Sequence, residues 1–332
     1  MDGKAPPIIR RRLNLSFNLN GEGRWSRRQA YYEDFLDAFS YDFPVAETFF
    51  VDSAMAYRDR ISDPELLQQL KDFAYQEAKH TKMHVRGNEL LDQTHPHGKR
   101  LAKISAFTFG LFGLLPAPTR LAVTCAYEHF TAMLANYLLT NMKLFMFLSD
   151  PTYGALWGWH AVEETEHKAV CVDVYQHVFG KGVLSYLHRV FVMVLVTAII
   201  VPKLLVMTLL INRGRRRYTR SNQIPAEGFE QKAKTAKNHQ PYPLPPPPEY
   251  DEIVHLIPLK AHPTLDSTVM RQLWALIIEA VQPGLYFSYY RPSFHPWEHD
   301  NSALISEWKE CYPGFGISTD AAGDEKQAPA KA

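Results

Sequence analysis

The chain has 332 residues, 46% of them apolar and 21% charged, a globular balance that excludes a disordered or fibrous protein. A formal net charge of +1 excludes binding to nucleic acid through overall basicity. Three cysteines at irregular spacing (Cys125, Cys171, Cys311) exclude a disulfide framework and fit a reducing compartment.

Residues 1–26 are basic and hold no apolar run of signal-peptide length, so a cytoplasmic protein is expected. Strand signals are sparse from there on, and residues 27–180 read as four long helices. The first covers about 27–59 and contains Pro44, which either kinks it or marks a restart. The second is capped by Ser62 or Asp63, has Pro64 at its first position and runs to about residue 92. After the turn-like HPHGKR, the apolar ISAFTFGLFGLLPAPTR leads into a third helix over about 117–147. Asp150-Pro151 opens the fourth by the same capping logic, and it ends near 178, before Gly180. Short links between long helices predict an all-α fold, an antiparallel four-helix bundle.

An extra hydrophobic helix follows at 186–212. Within it, residues 190–211 carry one charge, Lys203, and NRGRRRYTR comes next. A membrane span needs roughly 20 apolar residues, and the basic flank would face the cytoplasm. Pro202-Lys203 in its middle fits equally a buried, kinked core helix or an oligomer interface. The expectation is membrane association at the inner face, as a span, a re-entrant hairpin or an interfacial helix. Residues 213–262 read as a basic, then Pro-rich linker, 263–312 as a C-terminal helical extension, and 313–332 as a disordered tail.

The chemistry concentrates in HAVEETEH, residues 160–167. His160, Glu164 and His167 fall within an arc of about 60° on a helix, and so do Glu77, His80 and His84 of QEAKHTKMH. Glu47 and Glu128 each stand alone on the other two helices. One Glu from each of two helices plus a Glu-x-x-His from each of the others is the ligand pattern of a dimetal-carboxylate bundle. VAETF and AYEHF echo each other, as do QEAKH and EETEH, so the site reads as two copies of a helix pair. Two divalent metals would neutralise four glutamates that an apolar bundle could not otherwise bury. This donor set suits iron or manganese better than zinc. The expected metal ligands are Glu47, Glu77, His80, Glu128, Glu164 and His167, with His84 and His160 beside them. Glu163 sits at the edge of the arc, as an alternate ligand or a second-sphere group. Glu166 points elsewhere and reads as ordinary outer-face charge. His295, Glu298, His299 and Asp300 cluster in RPSFHPWEHDN, where two prolines interrupt any helical register, and they read as polar tips of a packed aromatic loop.

Residues of about 10–215 resemble the ferritin-like family of predicted metal-dependent hydrolases, through RRRLNLSF, the paired E-x-x-H helices and FHPW. The fourth helix is also similar to that of di-iron arylamine N-oxygenases, a resemblance that implies iron ligation by His160. Neither supplies a counterpart for His84. Three functions stay in view. The first is an oxidoreductase with two iron ions (or manganese, or mixed iron and manganese) that uses O₂ and an electron donor to oxidise a small hydrophobic substrate. The second is a metal-dependent hydrolase on the same centre, with Glu163 as general base. The third is a non-enzymatic ferritin-like metal-binding protein. A homodimer and the membrane surface stay open as partners, and nucleic acid does not.

Overall fold

The computed structural model describes residues 6–13, 15, 25–26, 30–93, 97–221, 267–311 and 317–319. The helices among them are α1 (Ala30–Met55), α2 (Pro64–Leu91), α3 (Gly98–Gly113), α4 (Ala117–Thr140), α5 (Met142–Leu148), α6 (Pro151–His167), α7 (Val170–Phe179), α8 (Val183–Ser221), α9 (Ser267–Val281), α10 (Pro283–Ser288) and α11 (Ser302–Cys311). The fold is all-α apart from one antiparallel ribbon, in which β1 (Arg11–Leu13) pairs with β2 (Ile317–Thr319). That ribbon corrects the reading of 313–332 as a featureless tail, because the backbone of 317–319 finds a partner in β1. Of the linker expected at 213–262, residues 213–221 continue α8, and 222–262 lie outside the described residues.

The caps fall where the sequence places them. Asp63 accepts from the backbone N–H of Glu65 and Leu66, with Pro64 at the first position. Asp150 accepts from Thr152 N–H at 2.9 Å. Two of the expected helices are divided, however. The third is followed by the separate short α5, and the fourth breaks at Lys168–Ala169 into α6 and α7. Pro44 does not interrupt α1. Proline has no N–H, so the Ser40 carbonyl loses its helical partner. Asn88 of α2 replaces it, donating from Nδ2 to Ser40 O at 2.7 Å.

The bundle forms from α1 packed on α2 and α4 packed on α6, closed by α1 against α4 and α2 against α6. Fully buried Phe43, Phe50, Phe73, Tyr127, Trp157 and Trp159 fill its interior. The described part of the C-terminal extension covers α4 and α6 from outside: α9 and α10 lie on α4, and α11 on α6 and α4.

The hydrophobic segment becomes part of α8, which packs along α1 and α4. Its buried residues, among them Arg189, Val196, Ile200, Lys203, Met207 and Arg215, recur at helical spacing along one face. Lys203, the lone charge of the apolar run, pairs with buried Asp42, which also accepts from the hydroxyls of Tyr127 and Ser105. Three turns further on, Arg215 pairs with Glu33, Asp34 and Asp37. Asn212 also donates to Asp34. Two buried ionic clips therefore hold α8 to α1, and the helix is a fifth member of the bundle on that side. Its other side is open: Leu184, Leu187, Phe191, Val194 and Val206 are exposed. By length and composition alone α8 could cross a membrane, and 39% of its most apolar window is buried.

Removing one partner of a buried ion pair costs about 3–5 kcal/mol, because the other charge is left uncompensated. Lys203→Met is expected to lower unfolding free energy by that amount in urea titrations. Adding Asp42→Asn, which removes the charge and keeps one of the two oxygens that accept from Tyr127 and Ser105, is expected to restore most of it.

Candidate metal centre

The eight residues singled out by spacing come together inside the bundle. Glu47 arrives from α1, Glu77, His80 and His84 from α2, Glu128 from α4, and His160, Glu164 and His167 from α6. None is more than 3% exposed. Their donor atoms form groups small enough to surround one ion each: Glu77, Glu128 and His167 at one end, and Glu47, Glu77 and His80 at the other. His80, His160 and Glu164 make a third such group, and Glu47, His84 and His160 a fourth. Glu77 belongs to both ends, as a bridging carboxylate would. Glu164 also spans them, with Oε2 at 3.4 Å from His167 Nε2 and Oε1 at 3.7 Å from His80 Nδ1.

The atoms that face inward lack hydrogen-bond partners. Glu47 Oε1, both oxygens of Glu77 and of Glu128, Glu164 Oε2, His80 Nδ1 and His167 Nε2 are all buried and unbonded. Burying that many lone pairs without donors is costly, and a cation is what such a set accepts. The histidine tautomers agree. Gln76 gives its Nε2 protons to Glu166 and Ile9 O, so its Oε1 accepts from His167 Nδ1–H at 2.8 Å. That leaves the lone pair of His167 on Nε2, 3.2 Å from Glu77 and 3.6 Å from Glu128. His80 gives its Nε2 proton to Glu163 at 3.1 Å and turns the Nδ1 lone pair toward Glu77 at 3.3 Å.

A proton count along the other two histidines points the same way. Asn88 Oδ1, Ser40 Oγ, His84, His160 and Glu164 Oε1 form a chain with contacts of 2.7, 2.9, 2.7 and 2.8 Å. Both ends are acceptors. Ser40 and two neutral imidazoles supply one proton each, so four gaps have three protons. With Ser40 donating to Asn88, His84 donates to Ser40 and His160 donates to His84. The lone pairs of His160 Nε2 and Glu164 Oε1 then face each other, and a cation between them makes up the deficit. In this arrangement His84 orients His160 and stands one step back from the centre.

Burial also sets the proton affinities. It raises the Glu47 and Glu128 carboxyls well above their ordinary range, with the neighbouring glutamates adding to the effect, and it raises Glu77 too. Burial depresses His84 strongly and brings His160 down to about 4, each reinforced by the adjacent imidazoles. For His80, burial works downward, but Glu163 and Glu77 outweigh it and hold the imidazole well above its usual value. Glu164 goes the other way: burial pushes it up, yet His167 and His160 pull it well below.

The surrounding groups correct two expectations. Glu166 is not outer-face charge: it is 2% exposed and holds Arg11 through both oxygens, at 2.7 and 2.5 Å. Glu163 stands behind His80, the second-sphere place that the sequence left open to it, and not in the donor set as a ligand or general base. Its oxygens are taken by His80 Nε2 and by Arg11 Nη1 at 3.3 Å. Arg11, on β1, thus connects both supporting carboxylates, one behind His80 and one behind His167 through Gln76. Sequence reasoning missed Arg11, Gln76, Ser40 and Asn88. Gln76 carried a signal as the neighbour of Glu77, and Arg11 lay within the RRRLNLSF stretch without being singled out in it. The 291–301 loop stays apart: His295 pairs with Asp173 at 3.0 Å, outside the donor set.

Partners that fix the tautomer of a metal-binding histidine typically change affinity by about 10–100-fold. Gln76→Leu is expected to weaken Mn²⁺ binding within that range in calorimetric titrations. Arg10→Met, which removes a partly exposed pair with Asp72, is expected to leave it unchanged.

No curated protein and no solved structure matches the chain. A family model does, over residues 9–300, a span that takes in Arg11, all eight converging residues and α8. The chain belongs to the family described as "Predicted metal-dependent hydrolase".

Proposed function

We propose that the protein is a dinuclear metal enzyme that hydrolyses a small, largely apolar substrate at a carbonyl or phosphoryl centre. The observation that carries this reading is the inward set of unpartnered lone pairs on four glutamates and on His80 and His167, in a chain whose family is metal-dependent. Glu47, Glu77, Glu128, Glu164, His80, His167 and His160 would hold two divalent cations. Such a pair supplies Lewis acidity and a water acidified toward neutral pH. The chain's own part is positioning and exclusion of water. Arg11 locks Glu163 and Glu166, which orient His80 and, through Gln76, His167. Phe43, Phe73 and Trp159 lie with ring centroids 4.6–5.0 Å from His160, His167 and His80, keeping the dielectric low where charge develops.

A second reading, oxidation of a hydrophobic substrate with O₂ and an external electron donor, is favoured by the donor set itself. Four carboxylates with two Glu-x-x-His pairs on alternate helices match di-iron bundles more closely than a closed zinc site. Iron, manganese or a mixed pair would then be the cofactor.

One experiment separates the two. Protein stripped with chelator is loaded under nitrogen with Mn²⁺, Zn²⁺ or Fe²⁺ and assayed on p-nitrophenyl esters and phosphoesters. Two metals per chain, with proton release near pH 6.5 as Glu47, Glu128 and His80 give up their protons, are expected. Anaerobic turnover with Mn²⁺ or Zn²⁺ supports hydrolysis. Turnover absent under nitrogen, with visible absorption appearing when O₂ meets the Fe²⁺ form, supports oxidation. Loading that Glu128→Gln and Glu164→Gln leave at two sinks both.

We also propose that the open side of α8 rests on an anionic lipid surface. Neither α3 nor α8 contains an Asp or Glu, and Phe107 and Leu111 of α3, with Leu114 just past its end, are exposed too. Apolar surface rimmed only by Lys and Arg suits an interfacial site. Flotation with vesicles rich in phosphatidylglycerol is expected to carry the protein, and Phe191→Glu with Leu187→Glu to abolish that. Equal flotation with neutral vesicles, or none with either, counts against it.

A further inference from the structure

A cavity of about 210 Å³ lies outside the metal centre, between α4, the end of α6, α10 and the 291–301 loop. None of the eight converging residues lines it. It abuts them through the chain: Lys168 follows His167, and His129 follows Glu128. The wall is apolar along Ala132, Met133, Leu285 and Phe294, and carries two cations, Lys168 and Arg291, against one carboxylate, Glu298.

Lys168 is the unusual member. It is 5% exposed, and its Nζ donates to His299 O and Asn301 Oδ1, both at 2.7 Å. The Trp297 ring centroid lies 3.8 Å away. Each of these partners is electrically neutral, and among the described residues no carboxylate forms an ion pair with Lys168. Burial lowers the proton affinity of Lys168 and the charge of Asp300, on the exposed rim, partly opposes this, while Asp300 Oδ1 is spent on Ser302. A buried ammonium without a direct ion pair is costly, and its third N–H, beside the Trp297 ring, has no hydrogen-bond acceptor among the described residues. Arg291 is held only by a loose, exposed pair with Glu298 at 3.6 Å. The cavity's histidines have other partners: His129 bonds Leu285 O, His295 bonds Asp173, and His299 bonds Asn136.

We propose that this cavity binds a small organic acid, its carboxylate on Lys168 Nζ and Arg291 and its apolar body against Met133, Leu285 and Phe294. The volume is below the roughly 300–1,000 Å³ of drug-sized sites, so the ligand has few heavy atoms. One spare N–H and one loosely held guanidinium match a monoanion, and the apolar wall gives a bare phosphate nothing to fill. The site stands independently of which reaction the metal centre carries out.

Calorimetric titration of the full-length protein with hexanoate, hexanol and inorganic phosphate tests this. Hexanoate is expected to saturate one site per chain, with hexanol and phosphate at least tenfold weaker. Lys168→Met is expected to weaken hexanoate at least tenfold. Gly284→Leu provides a second variant, because a side chain there meets open space and grows into the cavity. Equal affinity for hexanol, tighter binding of phosphate, or hexanoate binding unchanged in either folded variant overturns the proposal. Metal content measured on the same samples reports separately on the dinuclear reading. Glu128→Gln is expected to lose metal and keep hexanoate; loss of both places the ligand on the metal centre and also overturns the pocket.

Discussion

Four glutamate side chains buried at one level of an apolar bundle are the constraint around which this molecule is built. Unpaired buried carboxylates carry penalties of several kcal/mol each, more than a domain of marginal stability tolerates. Their charge can be met by protons or by cations. Raised Glu47 and Glu128 show the proton solution, and the inward lone pairs of His80 and His167 favour the cationic one. An imidazole nitrogen 3.2–3.3 Å from a carboxylate needs something positive between them, a second proton on the ring or a metal cation. The rings cannot turn away, because Glu163 and Gln76 hold their other nitrogens. Those two are held in turn by Arg11 and Glu166, so one arginine on a short ribbon stabilises the geometry of both ends.

The same rule organises α8. Its apolar composition would let it sit almost anywhere, and the two clips decide where it sits. Lys203 and Arg215 are buried against four acids of α1, Asp42 on one side and Glu33, Asp34 and Asp37 on the other. Placing α8 elsewhere would take Lys203 from Asp42 and Arg215 from the Glu33, Asp34 and Asp37 group. The ionic contacts therefore specify the packing more than they add to stability, since apolar replacements of a buried pair are often neutral. They also explain how α1 carries so many acids and still lies in the core. Its first half meets α8's cations, and its second half brings Glu47 to the centre.

The sequence made the centre's inner residues legible because they obey the helical period. Glu77, His80 and His84 had to share a face, and so did His160, Glu164 and His167. The same geometry misled for Glu166. Facing away from Glu164 means facing solvent only if nothing covers that side, and β1 covers it from 155 residues away. No local pattern encodes such a partner. Pro44 shows the complementary case. Proline inside a helix reads as a break, yet Asn88 on the neighbouring helix satisfies the orphaned Ser40 carbonyl and α1 continues. The caps at Asp63 and Asp150 were readable because capping is local chemistry. The placement of α8 was not, because the acids that receive Lys203 and Arg215 sit about 160–180 positions earlier.

The internal echo in the sequence, VAETF with AYEHF and QEAKH with EETEH, suggests two equivalent halves, and the structure keeps that symmetry only in part. Each half contributes a lone glutamate and a Glu-x-x-His pair. The additional histidines break the equivalence, because His84 and His160 both gather toward Glu47. That end holds three imidazoles, whereas the Glu128 end has only His167. A divalent cation near Glu47 would find two nitrogen donors, His80 and His160, beside its carboxylates, and one near Glu128 only His167. Nitrogen-rich and oxygen-rich positions differ in the metals they prefer and in the charge they leave on a coordinated water. The proton shortage between Asn88 and Glu164 lies at the nitrogen-rich end as well, so the two positions differ in proton supply as much as in ligands. Two similar halves thus present unequal sets of donors, and the inequality comes from two histidines placed one turn from each Glu-x-x-His motif.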